Sequence, residues 1–136
     1  MNATVNTPLF PLIRHLSKFA TPVFMRLPVS ANMITTASMV TGLAAAWCVT
    51  LGTPGADIAA GALFVITYIL DNCDGEIARL KDQCSTFGMR FDTFVDWVVH
   101  TALFAGLGIG AAARFDNELW FWMGMVAAAG GTINYI

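Results

Sequence analysis

The sequence predicts an all-α integral membrane protein, a helical bundle with about four spanning helices preceded by an interfacial amphipathic helix. Hydrophobic residues make up 57% of the 136 residues, and charged residues only 12%. A soluble domain averages about 45–50% apolar and about 25% charged residues, so this composition favours a chain that lies in lipid. The formal net charge of −2 shows no basic excess, and we expect no nucleic-acid partner.

Residues 1–29 are predicted to be a juxtamembrane segment whose amphipathic helix lies in the membrane interface. Apolar residues recur at helical spacing between Leu9 and Ala20, at Leu12, Ile13, Leu16 and Phe19. The opposite face carries Arg14, His15, Ser17 and Lys18. Basic amphipathic helices with aromatic residues are typical of membrane interfaces, although a helix packed against other helices would show the same pattern. Pro22 is expected to end or kink this helix.

Residues 30–136 are predicted to form the transmembrane domain. Four apolar runs cover about residues 34–51, 57–80, 88–113 and 118–136, and each is long enough for the roughly 20 residues that a bilayer core requires. The stretch "SANMIT" (30–35) leads into the first run, and the turn signal "GTPG" (52–55) separates it from the second. Because the fourth run is still apolar at Ile136, we expect the domain to be truncated at its C-terminal end.

The basic residues predict the orientation. Those on the side shared by the N-terminus and the loop between the second and third runs are Arg14, Lys18, Arg26, Arg79, Lys81 and Arg90, whereas the other side has only Arg114. Positively charged residues collect on the cytoplasmic side, so the N-terminus and that loop should be cytoplasmic, in the cell membrane if the source is prokaryotic.

Four aspartates flank this loop, at the ends of two apolar runs. Asp71 and Asp74 are i,i+3 neighbours and Asp92 and Asp96 are i,i+4 neighbours, so each pair projects from one helix face. In an antiparallel hairpin turning near Gln83, Asp71 would lie opposite Asp96, and Asp74 opposite Asp92. The sequence therefore predicts a cluster of four carboxylates near the cytoplasmic boundary of the membrane.

So many carboxylates cannot all stay ionised in a partly desolvated place unless some are protonated or cations lie between them. Oxygen ligands suit hard ions such as Mg²⁺, Mn²⁺ or Ca²⁺, and Mg²⁺ usually completes its shell with substrate phosphate oxygens. Gly75 leaves room for a substrate beside the helix, and Arg79 could bind a phosphate through its guanidinium group. This pattern favours phosphoryl chemistry.

Three further features carry milder predictions. Cys48, Cys73 and Cys84 lack metal-ligand spacing and are expected to be free thiols. A row of small residues is expected to allow close helix packing inside the protein: Ala102, Gly106 and Gly110. His100, one turn beyond Asp96, is expected to be a hydrogen-bonding histidine rather than a catalytic one.

The stretch "DNCDGEIARLKDQCSTFGMRFDTFVD" (71–96) resembles the complete signature of the CDP-alcohol phosphotransferase family. The matching positions are Asp71, Asp74, Gly75, Ala78, Arg79, Gly88, Asp92 and Asp96. "SANMIT" also resembles the entry to the first spanning helix of the family, except that Ala31 stands where proline is common.

The resemblance implies an integral membrane enzyme that transfers a substituted phosphate from a CDP-alcohol, such as CDP-diacylglycerol, to a hydroxyl of an alcohol acceptor. CMP is released, and the product belongs to phospholipid or related membrane-lipid biosynthesis. It implies that Asp71, Asp74 and Asp92 are metal ligands for one or two Mg²⁺ or Mn²⁺ ions. Asp96 would be the catalytic base and could also touch a second metal. Nucleotide-binding positions would be Gly75, Ala78, Arg79 and Gly88.

Members of this family usually have six spanning helices and often form homodimers, so two further helices are expected outside this sequence. The stretch "GEIARLK" resembles members that act on inositol phosphates, which makes an inositol phosphate the expected acceptor. Two alternatives belong to other classes. A divalent-cation transporter would use the aspartates as an ion site without needing Gly75 or Arg79. A catalytically inactive membrane module would need neither the ion site nor Gly75 and Arg79.

Overall fold

The computed structural model of the protein describes residues 11–135, and these form five helices with no strand. The helices are α1 (Pro11–Arg26), α2 (Ala31–Thr50), α3 (Pro54–Leu80), α4 (Thr86–Phe115) and α5 (Glu118–Ile133). Leu9, Ile136 and the side chains of Ile13 and Arg14 lie outside the described part, so the predictions made for them have no structural counterpart. The all-α prediction is confirmed.

Short polar residues determine where four of the helices begin. Ser30, Thr53, Ser85 and Asn117 each precede a helix in an extended conformation and accept a hydrogen bond from a backbone N–H of its first turn. Such caps satisfy N–H groups that have no partner inside the helix. The connections between the predicted apolar runs therefore lie where sequence patterns placed them.

Three of the described helices are long and apolar enough to cross a membrane: α2 with 20 residues, α3 with 27 and α4 with 30. The fourth predicted span corresponds to α5, which has 16 residues. At about 1.5 Å per residue, α5 measures roughly 24 Å, less than the roughly 30 Å of a bilayer core. The described part of the chain therefore has three helices of spanning length and a shorter fourth apolar helix.

Helix α2 lies between α3 and α4 and packs against both, whereas no Cα atoms of α3 and α4 approach within 8 Å. At Gly42 a Cβ atom would lie 2.7 Å from Cγ1 of Val99 on α4 and 3.3 Å from Cγ2 of Thr67 on α3. The absence of a side chain thus lets α2 touch both neighbours. Helices α3 and α4 follow each other along the chain as the predicted hairpin does, but α2 keeps them apart, which leaves a cleft between them.

Close packing of α4 depends on the predicted row of small residues. A Cβ at Gly106 would lie 2.7 Å from the carbonyl oxygen of Ala46, and one at Gly110 would overlap the carbonyl oxygen of Val49. Both carbonyls belong to α2, so the contact is internal, as predicted. A second close contact, which the sequence pattern did not predict, joins Gly108 of α4 to Gly124 of α5.

Helix α1 packs against α3 through small polar side chains. Ser17 is buried, and Thr21 donates a 2.6 Å hydrogen bond to Oε2 of Glu76. Leu12 and Phe19 are 70% and 76% exposed. Ser17 thus lies on the face opposite Leu12 and Phe19, and its small side chain lets α1 approach α3 while those two apolar side chains face outward. An outward apolar face remains suited to a membrane interface.

The end of α1 is held by Lys81. The helix continues through Pro22 to Arg26, so proline does not end it. Just beyond, Nζ of Lys81 donates to the carbonyl oxygens of Leu27 and Val29 at 3.0 and 2.8 Å. These bonds attach the segment after α1 to the loop that follows α3.

Candidate active site

Three carboxylates meet across the cleft between α3 and α4. Asp71 and Asp74 project from α3 and Asp92 from α4, and each offers an oxygen that lies within 4.8 Å of those of the other two. The i,i+3 spacing on α3 places its two carboxylates on one side, as the sequence predicted. Asp74 is buried, with 5% of its surface exposed.

The arrangement suits a divalent cation. Oδ1 of Asp92 is buried and accepts no hydrogen bond within residues 11–135. Among the side chains that the structure describes, none of these three aspartates forms an ion pair; the one ion pair found there joins Arg114 to Asp57. Buried like charges without a partner are unfavourable, and oxygen-only ligands are those that hard divalent ions prefer. These residues therefore could hold a metal ion.

Asp96 lies outside this group of three. It lines a separate small cavity of about 20 Å³ together with Asp71, Tyr68 and His100. The predicted proximity of Asp71 and Asp96 is thus present, but the four carboxylates divide into a triad and one neighbour. Nδ1 of His100 lies 2.7 Å from the backbone carbonyl oxygen of Asp96, so this nitrogen carries a proton and donates it. His100 is a hydrogen-bonding histidine, as predicted.

All four predicted nucleotide-binding positions line one cavity of about 290 Å³, together with Asp74 and Asp92. They are Gly75, Ala78, Arg79 and Gly88. A Cβ at Gly88 would lie 3.1 Å from Oγ of Ser85 and 3.4 Å from Oδ1 of Asn32. Within the described part of the chain, a Cβ at Gly75 would meet only Nη1 of Arg79, at 3.7 Å. Small residues thus keep open a space that begins at the carboxylates.

The same cavity is also lined by residues that the sequence motif does not contain. Asn32 and Thr35 of α2 line it, as do Gln83 and Ser85 of the loop between α3 and α4. Oγ1 of Thr35 donates to Oδ2 of Asp74 at 2.6 Å, and Oε1 of Gln83 accepts from the backbone N–H of Ala31 at 2.8 Å. The i,i+3 spacing of Asn32 and Thr35, at the start of an apolar helix, was a signal that could have indicated a polar face.

The free thiols fit their prediction. Cys48, Cys73 and Cys84 form no disulfide, and none of them belongs to the carboxylate group. Cys73 is fully buried against α1, whereas Cys84 is exposed in the loop between α3 and α4. Cys84 lines the cavity beside the carboxylates without belonging to their group.

The fold and site together define a class, a helical membrane protein with a carboxylate triad that opens into a cavity lined by small residues and an arginine. Residues 28–133 match the family model described as CDP-alcohol phosphatidyltransferase. The chain belongs to the CDP-alcohol phosphatidyltransferase family.

Two curated relatives share the name "Bifunctional IPC transferase and DIPP synthase". The one from Rubrobacter xylanophilus is 39% identical over 54 residues, which are 40% of this chain and 12% of that protein. The one from Thermococcus kodakarensis is 28% identical over 105 residues, 77% of this chain and 23% of that protein. The chain thus covers less than a quarter of either relative's length. No solved structure matches it.

Proposed function

We propose that this protein is a metal-dependent CDP-alcohol phosphotransferase of membrane-lipid biosynthesis. It transfers a substituted phosphate from a CDP-alcohol, such as CDP-diacylglycerol, to a hydroxyl of an alcohol and releases CMP. The observation that carries the proposal is the single cleft shared by the carboxylates of Asp74 and Asp92 and the family positions Gly75, Ala78, Arg79 and Gly88. A cation transporter would need the carboxylates but not the glycines and the arginine beside them.

Asp71, Asp74 and Asp92 would hold one or two Mg²⁺ or Mn²⁺ ions. When bound, the metal supplies positive charge that offsets the negative charge of the diphosphate and of the departing CMP. The partnerless buried oxygen of Asp92 supports this assignment. Arg79 lines the cavity with its guanidinium group available for a phosphate oxygen, and Gly75 and Gly88 leave space for the nucleotide.

Asp96 would take the proton of the acceptor hydroxyl. The acceptor oxygen then forms a bond to the phosphorus that carries the donor alcohol. The bond between this phosphorus and the oxygen bridging to CMP breaks, and CMP leaves with the electron pair. The position of Asp96 supports this role, because it lies beside Asp71 but outside the triad and so remains available to a hydroxyl.

The acceptor is proposed to be an inositol phosphate. This assignment rests on the stretch "GEIARLK", which lies at the end of α3 and resembles family members that act on inositol phosphates. The two relatives are named as a transferase and a synthase.

The site is proposed to face the cytoplasm. The start of α2, the end of α3 and the start of α4 lie at the same end of the bundle, where Arg79, Lys81 and Arg90 also lie.

The direct test is CMP release by the natural protein in lipid nanodiscs, with Mn²⁺ and a panel of CDP-alcohols and alcohol acceptors. Replacing Asp96 by Asn should lower the rate about 10²–10⁴-fold, the usual contribution of a general base. Asp57→Asn is the matched control, because it removes a carboxylate of α3 that pairs with Arg114 at the opposite end of the helix. The control should keep the parental rate.

The same preparation separates the alternatives. If no donor and acceptor pair yields CMP, while vesicles containing the protein take up Mn²⁺, the transferase proposal fails in favour of a transporter. If the protein neither releases CMP nor moves ions, it is a catalytically inactive module.

A further inference from the structure

Thr35 connects α2 directly to the carboxylate triad. Its Oγ1 lies 2.6 Å from Oδ2 of Asp74, and the two residues are only 4% and 5% exposed. A hydroxyl group has one proton to donate. The other acceptor near Oγ1, the carbonyl oxygen of Ala31, is farther away at 3.1 Å. The proton therefore goes mainly to the carboxylate, in a short bond of the charge-assisted kind.

This bond restrains the direction in which Asp74 points. A carboxylate on a helix can rotate about its side-chain bonds, and a metal site needs its oxygens in one orientation. The bond from Thr35 holds one oxygen of Asp74 from the α2 side, while Asp71 and Asp92 approach from α3 and α4. Because α2 packs against both of those helices, it is the element that can hold Asp74 relative to the other two.

We propose that Thr35 is a positioning residue of the metal site, which orients the carboxylate of Asp74 so that the triad binds a divalent cation. The inference rests on the proposed function and deepens it by adding a residue outside the aspartate motif. Thr35 itself touches neither the metal nor the reacting atoms in this role; it acts through Asp74.

A second threonine hydrogen bond between α2 and α3 allows a positioning role of Thr35 to be distinguished from a purely structural one. Oγ1 of Thr41 on α2 lies 2.8 Å from Oγ1 of Thr67 on α3, six positions farther along α2. This second threonine bond joins the same two helices away from the triad. Loss of either bond removes one interhelical hydrogen bond, but only loss of the Thr35 bond removes a hydrogen bond from Asp74.

The experiment compares Thr35→Val, Thr35→Ser and Thr41→Val with the parent in nanodiscs. Mn²⁺ affinity is measured by electron paramagnetic resonance without nucleotide, and metal-free thermal unfolding reports packing. Thr35→Val should raise the Mn²⁺ Kd about 10–100-fold, the usual effect of losing a partner of a metal ligand. Thr35→Ser keeps the hydroxyl and should bind close to the parental value. Thr41→Val also removes a hydrogen bond between α2 and α3 and should lower the unfolding temperature, yet leave the Kd unchanged.

The outcomes separate the two proposals. If Thr35→Val binds Mn²⁺ as tightly as Thr41→Val, the positioning role is overturned and Thr35 only joins helices. Should Thr35→Val not fold, Thr35→Ala removes the same hydroxyl without added bulk and decides in the same way. A parent that binds Mn²⁺ but releases no CMP overturns the transferase and leaves the positioning role supported by the Kd values. A parent that binds no Mn²⁺ overturns both.

Discussion

Asp74 of α3 and Asp92 of α4 bring carboxylate oxygens within 4.8 Å of each other, although no Cα atoms of their helices approach within 8 Å. The side chains alone bridge the cleft, and α2 sets its width by packing against both helices. A site built in this way combines unpaired negative charge with adjacent open space. It should therefore respond strongly to cations, to added side chains at its glycines, and to changes in helix packing.

Metal should stabilise the protein through the triad. Mn²⁺ at 100 times its Kd adds about 2.7 kcal/mol to the free energy of unfolding if it binds only the folded state. Asp92→Asn should lose this gain, because it removes a ligand. In EDTA the same variant should unfold at an equal or higher temperature than the parent, because one of three close like charges is gone. Thermal unfolding with and without Mn²⁺ measures both effects.

Asp57→Asn serves as the control for metal stabilisation and should retain the full gain from Mn²⁺, since its carboxylate pairs with Arg114 far from the triad. If Asp92→Asn is stabilised by Mn²⁺ as much as the parent, the triad is not the metal site.

A methyl group at Gly75 should weaken donor binding without weakening the fold. Among the residues that the structure describes, the added Cβ would have only Nη1 of Arg79 nearby, at an ordinary contact distance of 3.7 Å, so the unfolding temperature should stay close to the parental value. The same methyl group enters the 290 Å³ cavity, and the KM for the CDP-alcohol should rise about tenfold, equivalent to about 1.4 kcal/mol. Steady-state kinetics of CMP release checks this.

Gly61→Ala is the matched control for the cavity, because it adds a methyl group to α3 where no atom of residues 11–135 lies within 4 Å. It should leave both KM and the unfolding temperature unchanged. An unchanged KM for Gly75→Ala would place the nucleotide somewhere else.

A methyl group at Gly110 should destabilise the bundle. The added Cβ would overlap the carbonyl oxygen of Val49, a backbone atom that cannot rotate away, so α4 and α2 would have to separate. Overpacking of this kind costs about 1–3 kcal/mol. The unfolding temperature in detergent should fall accordingly, whereas Gly130→Ala on α5, with no described atom within 4 Å, should leave it unchanged. Equal stability of the two variants would contradict the observed contact between α2 and α4.

Cys84 provides a test of membrane orientation. It is exposed in the loop between α3 and α4, whereas Cys73 is buried and Cys48 lies within α2. If the site faces the cytoplasm, a membrane-impermeant maleimide should label Cys84 in inside-out vesicles but not in intact cells. Cys84→Ser should abolish the labelling. Labelling of intact cells at Cys84 would reverse the proposed orientation.

The helices and the motif could be predicted without the structure, because both are encoded over short distances. Apolar runs of spanning length, the turn "GTPG" and capping residues such as Ser85 act locally, and helical spacing alone places Asp71 and Asp74 on one face. The family signature lies within 26 consecutive residues, so the aspartates and the four family positions of the cleft could be named from the sequence, whereas Asn32 and Thr35 of α2 could not.

The order in which the helices pack, and the contacts that each helix face makes, became visible only in the folded chain. The position of α2 follows from close approaches at Gly42, Gly106 and Gly110, which depend on residues far away in the chain. Those contacts bring Thr35 to Asp74 and leave Asp96 outside the triad. Helical periodicity shows which residues share a face, but the rotation of a helix against its neighbours is determined by how closely their side chains and backbones fit.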